Sequence, residues 1–131
     1  MEESMFRVGV RDHVMIAHSL GSPTFGPAQG VHGATYVIDV VFSRPTLDGD
    51  NIVIDIARAH EILGEIKGLL NYKNLDEVEV FAGQITTTEF LARWIHGQIA
   101  ARVVGFFAGG LRVTLNESHV AWASFEGPVG G

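Results

Sequence analysis

A glutamate closes an apolar stripe near the end of the chain. Leu111, Val113, Leu115 and Glu117 alternate onto one face of an extended segment, with Arg112, Thr114 and Asn116 on the other. A carboxylate so placed must find a charged or hydrogen-bonding partner, or its desolvation is costly. A flat heterocycle presenting an amidine-like pair of N–H groups is one such partner, because a carboxylate accepts two parallel hydrogen bonds. Emergence into solvent at the strand end is the other reading, and the residues alone leave both open. The run Thr86-Thr87-Thr88-Glu89 is also two-sided. Thr87, Thr88 and the backbone amides of a helix start can bind a polar ligand edge. The same run fits a capping box in which Thr86 caps and Glu89 reaches back, which accounts for Glu89 without a ligand.

Histidines raise the question of a metal. His18 ends one extended segment, on the face of Val14 and Ile16, and His32 opens the next. Imidazoles at adjoining strand ends can share a metal, and a histidine two residues beyond His32 would join them on that face. That position holds Ala34. Catalytic zinc normally has three protein ligands, so His18 and His32 alone are too few, and no metal or other cofactor is expected. His13, His60, His96 and His119 show no metal spacing.

The elements that must position these groups follow from periodicity. Phe6 to Leu20 reads as a long strand rich in Val, Ile and Met, followed by a Gly/Pro loop from Gly21 to Pro27. A second strand from His32 to Phe42 puts His32, Ala34, Tyr36, Ile38, Val40 and Phe42 on one face. Asp48-Gly49-Asp50-Asn51 signals a turn, after which Ile52-Val53-Ile54 resumes extended structure. Ile56, Ala59, Ile62, Leu63, Ile66, Leu69 and Leu70 recur at helical spacing. A second helix opens at the threonine run, its apolar face made by Phe90, Leu91, Trp94, Ile95 and Ile99. Beyond a turn at Gly109-Gly110, Leu111 to Glu117 and His119 to Phe125 form a closing strand pair. This order predicts one α+β domain over residues 1–131, a four-stranded antiparallel sheet with two helices on one face. Such a sheet leaves two edges, and pairing them with neighbouring copies would close a barrel across subunits.

Bulk properties narrow the partners. A formal charge of -6 with only 9 Lys+Arg offers no basic footprint for nucleic acid. No apolar run approaches a membrane span of about 18–20 residues. The chain has no cysteine, which excludes disulfides, thiolate metal sites and cysteine nucleophiles. Met1-Glu2-Glu3-Ser4 lacks the features of a secretory signal, so a cytoplasmic location is the default expectation.

Taken in order, these segments resemble the 6-pyruvoyl tetrahydropterin synthase family, which includes the bacterial 6-carboxy-tetrahydropterin synthases. Val14-Met15-Ile16-Ala17-His18 looks like the family's Phe-x-Ala-x-His strand, and His32-Gly33-Ala34-Thr35-Tyr36 is similar to its His-Gly-His-Asn-Tyr. Ile52-Val53-Ile54-Asp55-Ile56 resembles Met-Val-x-Asp-Phe, and Leu70-Asn71-Tyr72-Lys73-Asn74-Leu75 resembles Leu-Asp-His-x-Asn-Leu. Thr87-Thr88-Glu89-Phe90-Leu91-Ala92 and Glu117-Ser118 follow at the family's spacing. The resemblance spans nearly the whole chain.

It implies a T-fold that assembles through subunit edges into a barrel, usually a hexamer built as a dimer of trimers. It also implies a pterin-like or purine-like ring at a subunit interface, anchored by Glu117 and contacted by Thr87, Thr88 and Glu89. Against the family pattern, Ala28 stands where a cysteine base is expected, Asn71-Tyr72 where an Asp-His pair is expected, and Ala34 where the third zinc ligand is expected. His18 and His32 are then remnant ligands. Alanine and asparagine do not transfer protons near neutral pH, and a phenol of pKa about 10 does so only when strongly tuned. The expected function is therefore binding of a pterin-like, purine-like or deazapurine-like ring without the family's zinc-dependent reaction. Two classes fit: a metal-independent enzyme drawing on His18, His32, Tyr72 and Lys73, or a non-catalytic binding, regulatory or structural oligomer.

Overall fold

Val, Ile and Met in alternation give β1, Phe6–His18, whose Val10, Val14, Ile16 and His18 turn inward while Arg11, His13 and Met15 turn out. The computed structural model describes residues 4–130, so the acidic start at Met1-Glu2-Glu3 lies outside it. Strand β2, His32–Arg44, runs antiparallel to β1 over its full length, from Phe6 opposite Arg44 to His18 opposite His32. Tyr36, Ile38, Val40 and Phe42 fill the same inner face and are at most 1% exposed.

Asp55 starts helix α1, Ile56–Leu70, its carboxylate accepting from the amides of Ala57 at 2.9 Å and Arg58 at 3.4 Å. Its buried residues are Ala59, Ile62, Leu63, Ile66 and Leu70, most of the stripe that the spacing predicts, while Ile56 and Leu69 are 53% and 40% exposed. Helix α2, Thr88–Val103, buries Leu91, Ala92, Ile95, His96, Ile99 and Val103. Phe90 and Trp94 are only partly buried, and pack against Phe81 edge-on. Both helices cover the inner face of the sheet, α1 against β1 and α2 against the last two strands.

Four strands are long and antiparallel: β1, β2, β4 (Gly109–Ser118) and β5 (Ala121–Val129). A two-residue strand, β3 (Lys73–Asn74), adds a parallel edge beside Ile16 and Ala17, giving the order β3-β1-β2-β4-β5. The architecture is thus the expected α+β layout with one short strand more.

Local details differ from the periodic reading. Ile52-Val53-Ile54 forms no strand; consecutive Val53 and Ile54 are both buried, a pattern alternation cannot give, and they plug the core ahead of the α1 cap. Gly109 and Gly110 are not a turn but the first residues of β4, because a Cβ on either would collide with Ser43. The β4–β5 reversal lies at His119-Val120, so His119 is a turn residue rather than the start of a strand. The first strand ends at His18, two residues before Leu20. No described helix is long and apolar enough to cross a membrane.

Candidate functional site

Antiparallel register makes His18 and His32 direct partners where β1 ends and β2 begins. Their rings meet edge-to-face, 4.7 Å between centroids. His18 is 2% exposed, with Nδ1 3.1 Å from the Thr86 hydroxyl. His32 donates its Nδ1–H to the Gly30 carbonyl at 2.9 Å, since that oxygen can only accept. Burial, and then the neighbouring His32, push the His18 pKa below its ordinary value, against the Thr86 bond and the carboxylates of Asp76 and Glu117. His18 is therefore a neutral imidazole at neutral pH.

Ala34, two residues along β2, pairs with Ile16 and packs its methyl against the core. Among the described residues no three His, Cys, Asp or Glu side chains gather in a group that could hold a metal. The catalytic zinc that the family resemblance implies needs three protein ligands, and this donor set does not fit it.

The threonine run divides its hydroxyls among three tasks. Thr86 is buried and serves His18. Thr87 is the helix cap, accepting from the Phe90 amide at 3.1 Å. Thr88 lies 3.4 Å from the Tyr36 hydroxyl. The capping box with Thr86 as cap and Glu89 as its reciprocal partner does not form, because the cap sits one residue later and the residue three beyond it is Phe90. Glu89 is left exposed in the first turn of α2, favourably placed against the helix dipole and with no cap bond to make.

Freed from capping, Glu89 shares a cavity of about 290 Å³ with Glu117, Thr88, Ala121, Trp122 and Ala123. The sheet brings Glu117 there: Asn116 pairs with Val37, so the next residue of β4 stands level with Tyr36. Two carboxylates line this cavity, and no basic side chain does. Burial raises the Tyr36 pKa, and Glu117 and Glu89 raise it further against the opposing Thr88 bond, so the phenol keeps its proton. The arrangement favours a ligand rich in N–H donors, which two carboxylates and the Thr88 hydroxyl can accept.

Tyr72 and Lys73 stand elsewhere in the chain. They line a second cavity of about 430 Å³ with Asn74, Glu77 and Val78, along the outer side of β1. Asn71 Oδ1 accepts from the Met15 amide at 2.9 Å, and the Tyr72 amide donates to the Met15 carbonyl at 2.6 Å. This clamp holds Tyr72 at φ 61 with its side chain 81% exposed. Lys73 in β3 and Glu117 in β4 are three strand spacings apart, roughly 14 Å, so one chain does not unite them. No described hydrogen bond or ion pair links Tyr72 or Lys73 to His18 or His32. Ala28 lies in the short turn of helix after β1, its carbonyl accepting from the Leu20 amide at 3.0 Å.

Sequence reasoning did not single out Tyr36, Thr86 or Trp122 as site residues. Tyr36 was legible only as an inward strand position. Trp122 carries a signal in its alternation: it falls opposite Asn116 on the outer face, an aromatic where a polar side chain is usual.

The family model for 6-pyruvoyl tetrahydropterin synthase matches residues 7–128. The chain belongs to the 6-pyruvoyl tetrahydropterin synthase family. Its fold is similar to that of the Caenorhabditis elegans 6-pyruvoyl tetrahydropterin synthase, with a TM-score of 0.82 at 20% identity, covering 97% of this chain and 99% of that one. A catalytic-residue mutant of the Plasmodium vivax enzyme gives 0.79 at 16% identity, over 96% and 99% of the two chains. An uncharacterised protein of Wolinella succinogenes gives 0.70 at 13% identity, over 93% and 98%. No curated protein matches the chain. The fold is therefore the T-fold of this family, and the protein is a homologue of pterin-metabolism enzymes.

Proposed function

We propose that this chain binds a pterin-like, purine-like or deazapurine-like ring in the cavity at the start of α2, with Glu117 as its anchor. The observation that carries the reading is the pairing of Glu117 with Glu89 in one cavity without a basic side chain. A carboxylate there accepts an amidine-like N–H pair, Glu89 and the Thr88 hydroxyl take further ring edges, and the uncharged Tyr36 phenol backs them. Thr87 accepts from the Phe90 amide, which leaves its O–H as the donor it can offer a ring edge.

The family's zinc-dependent reaction is not part of this proposal. His18 and His32 lack a third ligand at Ala34, and Ala28 and Asn71 carry no group that moves protons near neutral pH. Tyr72 and Lys73 remain exposed at the opposite edge of the sheet. Among the described residues, the outer edge of β1 has no strand partner beyond the two residues that β3 covers, and β5 has none on its outer side. Pairing those edges between copies would bring Tyr72 and Lys73 of one subunit toward Glu117 of another, in a ring that the family resemblance extends to a hexamer. That juxtaposition favours a metal-independent activity over a purely structural role, with a non-catalytic pterin-binding module as the second reading.

The deciding measurement is a thermal-shift screen with pterins and deazapurines. Stabilisation by at least one of them, lost in Glu117→Ala, is the expected result. If no such compound raises the melting temperature, or if Glu117→Ala retains the shift, the anchor role is wrong.

A further inference from the structure

We propose that the sheet face turned away from the helices holds a small multivalent oxyanion, gripped by Arg112 and Arg11. This site borders the ring cavity at Trp122 but shares no charged group with it.

Register lays the face out as a grid. One row across four strands reads Gly9, Val41, Arg112, Glu126; the next reads Arg11, Asp39, Thr114, Ser124; the third reads His13, Val37, Asn116, Trp122. Rows are two residues apart, roughly 7 Å. Glycine and valine make a low floor beside Arg112, and the concavity above the grid encloses about 830 Å³.

The charges lining this concavity run against the rest of the molecule, with Glu126 on the same face but outside the lining. The chain carries 15 acidic and 9 basic residues, yet this cavity is lined by two arginines and a histidine against one acid, Asp39. That acid is already engaged. Arg11 reaches its carboxylate with Nε at 2.5 Å and Nη2 at 3.1 Å, and Asn116 Nδ2 donates to it at 2.9 Å. Asn116 is itself fixed by a bond to the Val37 carbonyl at 3.1 Å. The network neutralises Asp39 and sets the Arg11 guanidinium in place, with its Nη1 donors unused.

Arg112 has no ion-pair partner among the described residues, although Glu126 lies opposite it in register. Its guanidinium is a planar fork matched to phosphate and carboxylate groups alike. Thr114 on β4 and Ser124 on β5 add hydroxyl donors on the Arg112 side of the concavity. A single exposed arginine binds an anion weakly, but the whole Arg112 fork, the unused Nη1 donors of Arg11 and two hydroxyls around one concavity suit an ion with several negative oxygens.

Calorimetric titration of the intact protein at fixed ionic strength tests this, with inorganic tripolyphosphate in one arm and citrate in the other. Saturable binding of either ion, weakened at least tenfold by Arg112→Gln and unchanged by Glu117→Ala, is expected. The arm that binds more tightly identifies the ligand as phosphate or carboxylate in kind. Arg112 is exposed and its side chain makes no hydrogen bond among the described residues, so its replacement leaves the fold intact. Absence of saturable binding in both arms overturns the proposal, as does binding that Arg112→Gln leaves unchanged or Glu117→Ala abolishes.

Discussion

The Thr86 hydroxyl lies 3.1 Å from Nδ1 of His18, across 68 residues of chain, and this bond passes the helix cap to Thr87. The two threonines should therefore respond differently to substitution. Thr87→Ala removes an N-cap bond and should cost about 1 kcal/mol, read as a lowered denaturation midpoint. Thr86→Val keeps the shape but strips a buried imidazole of its partner, at a cost of about 1–3 kcal/mol. Equal, small effects from both would mean that the cap is shared and His18 finds another partner.

Glu89 should separate stability from binding. It is exposed and makes no cap bond, so Glu89→Gln should shift the melting temperature little, through loss of a favourable dipole interaction of about 0.3–1 kcal/mol. The same change should weaken a ring ligand that Glu117 anchors by about tenfold, which is the worth of one charge-assisted hydrogen bond. Titration of wild type and variant with whichever ring compound stabilises the protein checks this. Unaltered affinity would remove Glu89 from the site.

How far the sequence reaches can be judged from this same segment. Long strands and helices are legible because each repeats its apolar period many times, so one misread residue changes little. The cap is not legible, because Thr86, Thr87 and Thr88 are equivalent locally and a distant histidine decides among them. Strand β3 is invisible for a similar reason: two residues have no period. Ile52-Val53-Ile54 misleads because β-branched residues mark burial as well as strand. In the candidate site, Glu117 stood out as a charge ending an apolar stripe, whereas the freedom of Glu89 follows only from the shifted cap. The Arg11–Asp39–Asn116 network spans three strands and needs their register before it can be seen at all.

A salt bridge between sheet and helix gives a pH signature. Lys67 Nζ lies 3.0 Å from Asp12 Oδ1, with the side chains 27% and 30% exposed. Burial pushes the Asp12 pKa up, but the bonds from Lys67 and the His13 amide outweigh it and hold the group below its ordinary value. The unfolded chain then binds this proton first as pH falls. The bridge contributes fully above about pH 4, the unfolded carboxylate range, and is lost as pH drops through the lower folded value. Asp12→Asn should cost about 1 kcal/mol at pH 7, after allowance for solvent screening, and flatten the decline in stability as pH falls below about 4. Urea midpoints of both proteins across that range provide the check.

Tyr72 holds a left-handed conformation, φ 61, that a residue with a Cβ adopts at a cost of about 1 kcal/mol. Its ring is 81% exposed, so packing does not repay that cost within the chain. Tyr72→Gly should leave stability unchanged or raise it by up to about 1 kcal/mol, while reducing any activity on a bound ring compound. A marked loss of stability would mean that the ring is buried against another copy. In that case the loss should vary with protein concentration, as a subunit contact requires.

Ala34 offers the most direct test of the imidazole pair. It lies on the inner face of β2, two residues from His32, and its register partner Ile16 is two residues from His18. An imidazole at this position would project toward the same space as the other two, separated from them by one pleat repeat of roughly 7 Å. Ala34→His should therefore convert two donors into a three-ligand zinc set, gaining about one zinc per chain by metal analysis of protein dialysed against the free ion. The added ring replaces a methyl that packs against the core, so the metal-free variant should be less stable than the parent by about 1–3 kcal/mol. Zinc should restore that stability, because binding the folded state alone raises the unfolding free energy. Zinc bound equally well by the parent protein would show that His18 and His32 recruit their remaining ligands from elsewhere. The variant should still fail to run the family's reaction, since Ala28 and Asn71 supply no proton-transfer group and the metal alone cannot replace them.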